Sequence, residues 1–363
     1  MSSFQVTAER LTVFPHPDAD RLELAEVGLY RAVVGKGQYR TGDYALYIPE
    51  QAVLPEPLIA ELGLTGKLAG ADRNRVRAVR LRGQLSQGIV CTPEAVAAAD
   101  LAAAQRERTD FAELLGVEKW VPPVPVNMSG EVEAAPELIR WIDIENIKRF
   151  PDIFEPGEPV VATEKVHGTA CLFSYFAQEG RAQLSSKGIG AQYLALKENA
   201  GNLYWRAARA HGLVEAAEKI AAHLGAARVG LFGEVYGAGV QDLHYGASAG
   251  QDATLGYALF DVAVVDATGE QRWLSHDEIG ALFAALGLRI PRVPVLYEGP
   301  YDAAALLALA EGRETISGRG LNIREGLVLR PRTERRSVVL GGRAIGKIVS
   351  AGYLLRDGGT EYE

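Results

Sequence analysis

Val160-Val161-Ala162-Thr163-Glu164-Lys165-Val166-His167-Gly168-Thr169 is the stretch from which the rest of the chain is read. Pro159 to Thr163 is a β-branched, apolar run of the kind that forms a strand. A lysine at the end of that strand, with a glycine three residues on, is what a nucleophilic amine needs, because glycine lets backbone approach a phosphate closely. Alone the pattern says little. Nine lysines and 40 glycines in 363 residues make about one Lys-x-x-Gly expected by chance, and three occur, at Lys67, Lys165 and Lys187. The order and neighbours of the other elements must discriminate.

Four such elements follow Lys165. In Val229-Gly-Leu-Phe-Gly-Glu-Val-Tyr236 the strand period of two puts Phe232, Glu234 and Tyr236 on one face and Val229, Leu231 and Val235 on the other. A carboxylate sharing a face with two aromatics suits a nucleoside pocket better than a solvated surface. Tyr257 to Val265 is a further strand, carrying Phe260-Asp261 and so an aromatic able to stack on a base. Arg324-Glu325-Gly326 opens a strand through Leu329, and Gly346-Lys347-Ile348-Val349 brings a second lysine near the C-terminus. Helices are expected at about 191–223, 275–286 and 302–311, the second opened by the capping box Ser275-His-Asp-Glu278.

These elements, in this order, resemble the covalent nucleotidyltransferases, the superfamily of polynucleotide ligases and mRNA capping enzymes. Glu164-Lys-Val-His-Gly-Thr169, Phe232-Gly-Glu234 followed by Gly239-Val-Gln241 and Tyr245-Gly246, and Phe260-Asp261 are most similar to ATP-dependent RNA ligases that seal nicks. The tail Ile348-Val-Ser-Ala-Gly-Tyr-Leu-Leu355 resembles that of the Deinococcus-type RNA ligases, in which an OB module precedes the ligase core. The fold implied is an N-terminal OB-like β-barrel followed by an α+β nucleotidyltransferase domain, an ATP-grasp-like ligase core with antiparallel sheets. Domains are expected at 1–125 and 138–363, the first with a helical extension, separated by the Pro-rich Trp120–Pro125.

Carried over by residue, the resemblance implies that Lys165 attacks the α-phosphate of ATP and becomes lysyl-AMP. Glu164 would face the adenine or ribose, Glu234 the ribose or a metal, and Phe260 the adenine. Glu325 would organise Mg²⁺ or Mn²⁺, Lys187 and Lys347 would contact phosphate, and His167 and Gly168 would complete the nucleotide-binding turn. Two positions depart from the family pattern. Val349 stands where many relatives carry a second lysine, and Ala170 where an arginine contacts ribose.

Elementary chemistry adds two conditions. A lysine amine is protonated at neutral pH unless burial or neighbouring cations oppose it. Adjacent residues on a regular strand face opposite ways, so Glu164 and Lys165 reach one ligand only if the strand ends there. Glu234 and Glu325 are the oxygen ligands that hard divalent cations prefer.

The first ninety residues read as strands at Phe4–Phe14, Leu22–Val27, Tyr30–Val34 and Tyr44–Ile48, spaced as in a small barrel. Arg73, Arg75 and Arg77 alternate along one expected strand, and Arg80 and Arg82 follow with opposite parity. A bulge near Ala78-Val79 would return all five to one face as a phosphate-binding stripe. His16-Pro-Asp-Ala-Asp-Arg-Leu-Glu23 and Leu81-Arg-Gly-Gln-Leu-Ser-Gln-Gly-Ile-Val-Cys91 resemble the start and end of OB domains that bind tRNA in synthetase-associated proteins.

The formal charge is −8, which argues against a global field drawing the chain to nucleic acid. Yet residues 73–82 carry +5 and 319–347 carry +6, leaving −19 for the rest, an acidic body with two basic segments. Two distant cysteines, Cys91 and Cys171, exclude a disulfide scaffold and a Cys-based zinc site. With no apolar run of membrane length and no leader-like N-terminus, a cytoplasmic monomer is expected. Its expected partner is nicked duplex RNA or an RNA/DNA hybrid. A capping guanylyltransferase, a DNA ligase and an RNA-binding OB protein with a lapsed catalytic domain are the alternatives.

Overall fold

In the strand Tyr44–Ile48 alternate residues serve two different cores. Ala45 and Tyr47 pack with Tyr30, Ala32 and Val34, while Leu46 and Ile48 pack with Leu54, Leu58, Ile59 and Val76. A strand buried on both faces reads as a continuous apolar run, as Tyr-Ala-Leu-Tyr-Ile does. Each large side chain so buried contributes about 1.5–3 kcal/mol.

The computed structural model describes residues 4–121, 130–141, 143–237, 239–246 and 255–356. They form two compact units, residues 4–121 with 145–151, and residues 130–141 and 143–144 with the described residues from 152 to 356. The expected linker prolines after Trp120 fall outside the described residues. Among the described residues no helix is long and apolar enough to cross a membrane.

The first unit pairs Thr7–Arg10, Tyr44–Ile48 and Ile89–Cys91 in one antiparallel sheet and Thr12–Pro15, Leu22–Val27 and Tyr30–Gly35 in another. The run expected as one strand over Phe4–Phe14 is therefore two, in different sheets. Pairing among the described residues gives separate sheets rather than one closed ring.

The arginine stripe needs correction, because its five residues do not share a strand. Arg73 lies in a turn at φ +52°. Arg75 is 3% exposed, exchanges backbone hydrogen bonds with Ala69, and places its guanidinium 4.0 Å over the Trp120 ring. Only Val79–Leu81 is a strand, paired with Gln84–Ser86. The Arg82-Gly83 turn between them has φ of +47° and +85°, the two positive angles of a tight hairpin. Turn chemistry thus overrides the alternation, and the chain reverses where the stripe would continue.

The second unit is built on two antiparallel sheets. One orders Arg181–Ser186, Thr169–Phe176, Arg228–Tyr236, Gly256–Val265 and Gln271–Trp273. In the other, Gly346–Val349, Gly326–Pro331, Pro159–Lys165 and Val295–Pro300 are neighbours in that order. The helix His276–Leu286 begins at the expected capping box, with Ser275 Oγ and the Glu278 carboxylate each accepting from the other's backbone N–H. The expected helix over 191–223 is instead a strand, Leu194–Leu196, and two helices, Leu203–Ala210 and Leu213–Leu224. Asn202 caps the first of these helices, and Gly212, at φ +63°, separates them.

Part of the charge of the basic segment 319–347 is paired inside this unit. Arg343 ion-pairs with Asp261 and Glu334, Arg330 with Asp261, Arg335 with Glu158 and Arg332 with Asp277. Arg324, Arg330 and Arg343 are buried, whereas Arg319, Arg332 and Arg336 are exposed, so part of the charge is internal and part is at the surface.

Candidate active site

The strand Pro159–Lys165 ends at the nucleophile candidate, with Lys165 opposite Gly326 and Glu164 opposite Leu327 on the neighbouring strand. Glu164 and Lys165 both line one cavity of about 300 Å³, with Thr163 and Val166 beside them. Gly168 is needed at the following turn, since a Cβ there would sit 2.2 Å from the Val235 carbonyl oxygen. This close approach brings Lys165 and Glu234 to one cavity.

Lys165 Nζ donates to Glu325 Oε1 at 2.7 Å, from an amine 26% exposed to a carboxylate 9% exposed. The other oxygen, Oε2, has no hydrogen-bond partner. Gly326 allows this placement, because a Cβ on it would lie 1.9 Å from the Ile348 carbonyl. Glu234 enters from the Arg228–Tyr236 strand. Burial pushes its carboxyl up to about 8, against the opposing pull of Lys165, and Glu325 adds to the rise. The open Oε2 of Glu325 and the raised pKa of Glu234 make a donor set that a divalent cation would relieve. Among the described residues no cluster of three or more His, Cys, Asp or Glu could hold a metal. A cation bound here would complete its shell with phosphate oxygens and water.

Glu164 is 1% exposed. Its Oε2 accepts from both the backbone N–H and the hydroxyl of Thr315, and its Oε1 has no partner. Burial raises its pKa, with the Thr315 hydrogen bonds opposing. An acceptor left open at a cavity wall is a ready partner for a ligand donor.

Phe260 reaches the cavity through a feature not visible in the alternation. Between Phe232↔Asp261 and Gly233↔Leu259 the register shifts, so Phe260 is the extra residue of a bulge. Bulges re-aim a side chain in this way beside active sites. The Phe260 ring lies 4.9 Å from that of Trp141, which also lines the cavity.

Of the residues expected from sequence, the cavity gathers Glu164, Lys165, Gly168, Lys187, Glu234, Phe260 and Lys347. Glu325 reaches it through its bond to Lys165. Lys187 ion-pairs with Asp143. His167 does not line the cavity. Its ring is 4% exposed, with Nε2 2.7 Å from Asp242 Oδ1 and Nδ1 2.8 Å from the Tyr353 hydroxyl. Arg73, Arg75, Arg77, Arg80 and Arg82 belong to the first unit.

Sequence reasoning missed Trp141, Thr315, Asp242 and Arg356, and did not assign a role to Arg330 or Tyr353. Arg330 lines the cavity while donating to the Phe260 carbonyl and Asp261. Its signal was the end of the quoted Glu325-Gly326 strand. Val349, at the departure from the family pattern, pairs with Gly326 and packs beside Val166 and Tyr353.

Comparison with known proteins agrees with the architecture over nearly the whole chain. A Naegleria gruberi RNA ligase structure with PPi superposes with a TM-score of 0.76 at 24% identity, covering 97% of this chain and 98% of that one. A lysine-to-alanine variant of that enzyme with ATP and Mn gives 0.76 at 25% identity, covering 96% and 98%. No curated protein sequence matches significantly. A model described as an OB-fold domain matches residues 6–93, and the RNA ligase model matches 158–349, the span that holds Lys165, Glu234, Glu325 and Lys347. With more than half its length matched by that model, the chain belongs to the RNA ligase family.

Proposed function

We propose that this RNA ligase uses ATP and a divalent cation to seal 3′-hydroxyl/5′-phosphate nicks in duplex RNA or RNA/DNA hybrids. The observation that carries this reading is the Lys165–Glu325 pair set in a cavity with Glu234, Lys187, Arg330 and Lys347. ATP-bound and AMP-bound structures of the Naegleria gruberi enzyme, both with Mn, support it.

Lys165 Nζ, once it has given up a proton, forms a bond to the α-phosphorus as the α–β phosphoanhydride bond breaks and pyrophosphate departs. The adenylate then passes to the 5′-phosphate oxygen of the nick and frees Lys165. Finally the 3′-hydroxyl oxygen attacks the 5′-phosphorus, and AMP leaves. Lys187, Lys347 and Arg330 hold phosphate charge, so the second cation that Val349 cannot provide has two nearby sources. Phe260 and Trp141 stack on the base, and Glu164 Oε1 accepts from the adenine amino group or a ribose hydroxyl. Glu234 and Glu325 would hold Mg²⁺ or Mn²⁺, which neutralises charge developing on the phosphates. The N-terminal unit is an OB module that grips the nucleic acid, in the manner of OB folds.

Nick sealing tests the reading. A duplex with a 3′-OH RNA end abutting a 5′-phosphate should be joined when ATP and Mg²⁺ or Mn²⁺ are supplied, with an AMP-capped 5′ end as intermediate. Absence of both joined product and capped end would overturn it.

A further inference from the structure

The segment after the last strand binds back onto the motif around the nucleophile. Ser350 N–H donates to the Glu325 carbonyl at 2.8 Å, and its hydroxyl donates to the Arg324 carbonyl at 2.7 Å. Ser350 then caps the short helix Ala351–Leu354, whose first two amides donate to the Glu311 carboxylate. Tyr353 is 2% exposed, and its hydroxyl meets His167 Nδ1. Arg356 clamps Asp242 through Nε at 2.9 Å and Nη2 at 3.2 Å, donates to the Tyr353 carbonyl, and lies 3.6 Å over the Tyr353 ring. A closed circuit results, running Arg356, Asp242, His167, Tyr353 and back to Arg356.

The circuit fixes the orientation of the imidazole through contacts at both ring nitrogens. Burial favours the neutral Asp242 carboxyl, but hydrogen bonds from His167 and Arg356 outweigh it and hold the group well below the usual range. An ionised carboxylate only accepts, so His167 Nε2 carries the proton toward it. The other ring nitrogen, Nδ1, meets the Tyr353 hydroxyl at 2.8 Å and lies 3.9 Å from Glu325 Oε2, so the ring is held from both sides. The His167 backbone N–H is held as well, by the Tyr245 hydroxyl at 2.8 Å. His167 is two residues from Lys165 and one from Gly168, so a clamp on it is a clamp on the turn that sets the nucleophile.

We propose that Tyr353 and Arg356 are positioning residues for Lys165, acting through His167 and Asp242, so that the C-terminal segment is a strap whose docking makes the nucleophile competent. This rests on the ligase reading above and adds a part of the chain that does not touch the cavity. The strap orients the amine rather than binding nucleotide, so its loss should appear in kcat and leave KM for ATP in place.

The test is the rate of self-adenylylation with α-labelled ATP in the full-length protein, at saturating and limiting ATP, for Tyr353→Phe, Arg356→Ala and both in a His167→Ala background. Tyr353→Phe keeps the ring and removes only the hydroxyl. The expected result is a rate reduced about tenfold in each single variant, with KM for ATP unchanged and less than a twofold further loss when His167 is already alanine. Arg356→Lys should recover part of the rate. Full activity in Tyr353→Phe and Arg356→Ala would overturn the proposal, as would losses that multiply with that of His167→Ala, or a raised KM with kcat intact. Failure of the wild-type protein to label at all would instead contradict the ligase reading.

Discussion

Lys165 and Glu325 meet across two antiparallel strands, the amine donating to Oε1 at 2.7 Å from a position opposite Gly326. On the proposed mechanism this ion pair holds Lys165 before attack, and the carboxylate that restrains it would also hold a cation on the phosphates. Replacing it removes both functions. Glu325→Gln should therefore lower the self-adenylylation rate about a hundredfold, the scale seen when a preorganised electrostatic group is removed. Single-turnover labelling measures this. A rate equal to or above wild type would mean that Glu325 only restrains the amine.

Glu234 gives a pH signature. Its pKa rises from 4.5 to about 8 in the folded protein, chiefly through burial. The folded state thus binds this proton more tightly than the unfolded state, so the group's stabilising contribution is complete below about 4.5 and is lost as pH rises through about 8. Denaturant titrations of metal-free protein between these values should show Glu234→Gln with a flatter decline of stability with pH than wild type. Mg²⁺ or Mn²⁺ binding should release a proton in the same range in wild type and lose that release in the variant.

The N-terminal arginines divide into structural and exposed groups. Arg75, buried over Trp120, should cost about 1–2 kcal/mol of stability when changed to alanine. Arg80 and Arg82 are exposed on the hairpin around Gly83. Changing these two to alanine should leave stability and self-adenylylation unchanged and weaken binding to nicked RNA. The slope of log K against log salt should become shallower by about one for each phosphate that an arginine no longer neutralises. Filter binding across a salt series distinguishes the two groups. An unchanged slope would place the RNA elsewhere.

How far the sequence could be read depended on whether a feature is local. The Ser275 capping box and the glycines at 168 and 326 follow from residues close together in the chain, as do the strands at or beside Lys165, Glu234 and Glu325, whose side chains the structure brings to one site. Phe260 was legible as a residue but not in its placement, because a bulge depends on register with the partner strand. Asp242, Thr315 and Arg356 were invisible, since each acts through a bond to a residue 75 or more positions away. The arginine stripe failed for the opposite reason. A strong local alternation was overruled by an Arg-Gly turn and by burial of Arg75.

The most direct measurement is to incubate the protein with α-labelled ATP and a divalent cation, digest it, and locate the label by mass spectrometry. A single AMP adduct on Lys165, discharged by added pyrophosphate and absent from Lys165→Ala, is the predicted result. Label on another residue, or label surviving in Lys165→Ala, would contradict it.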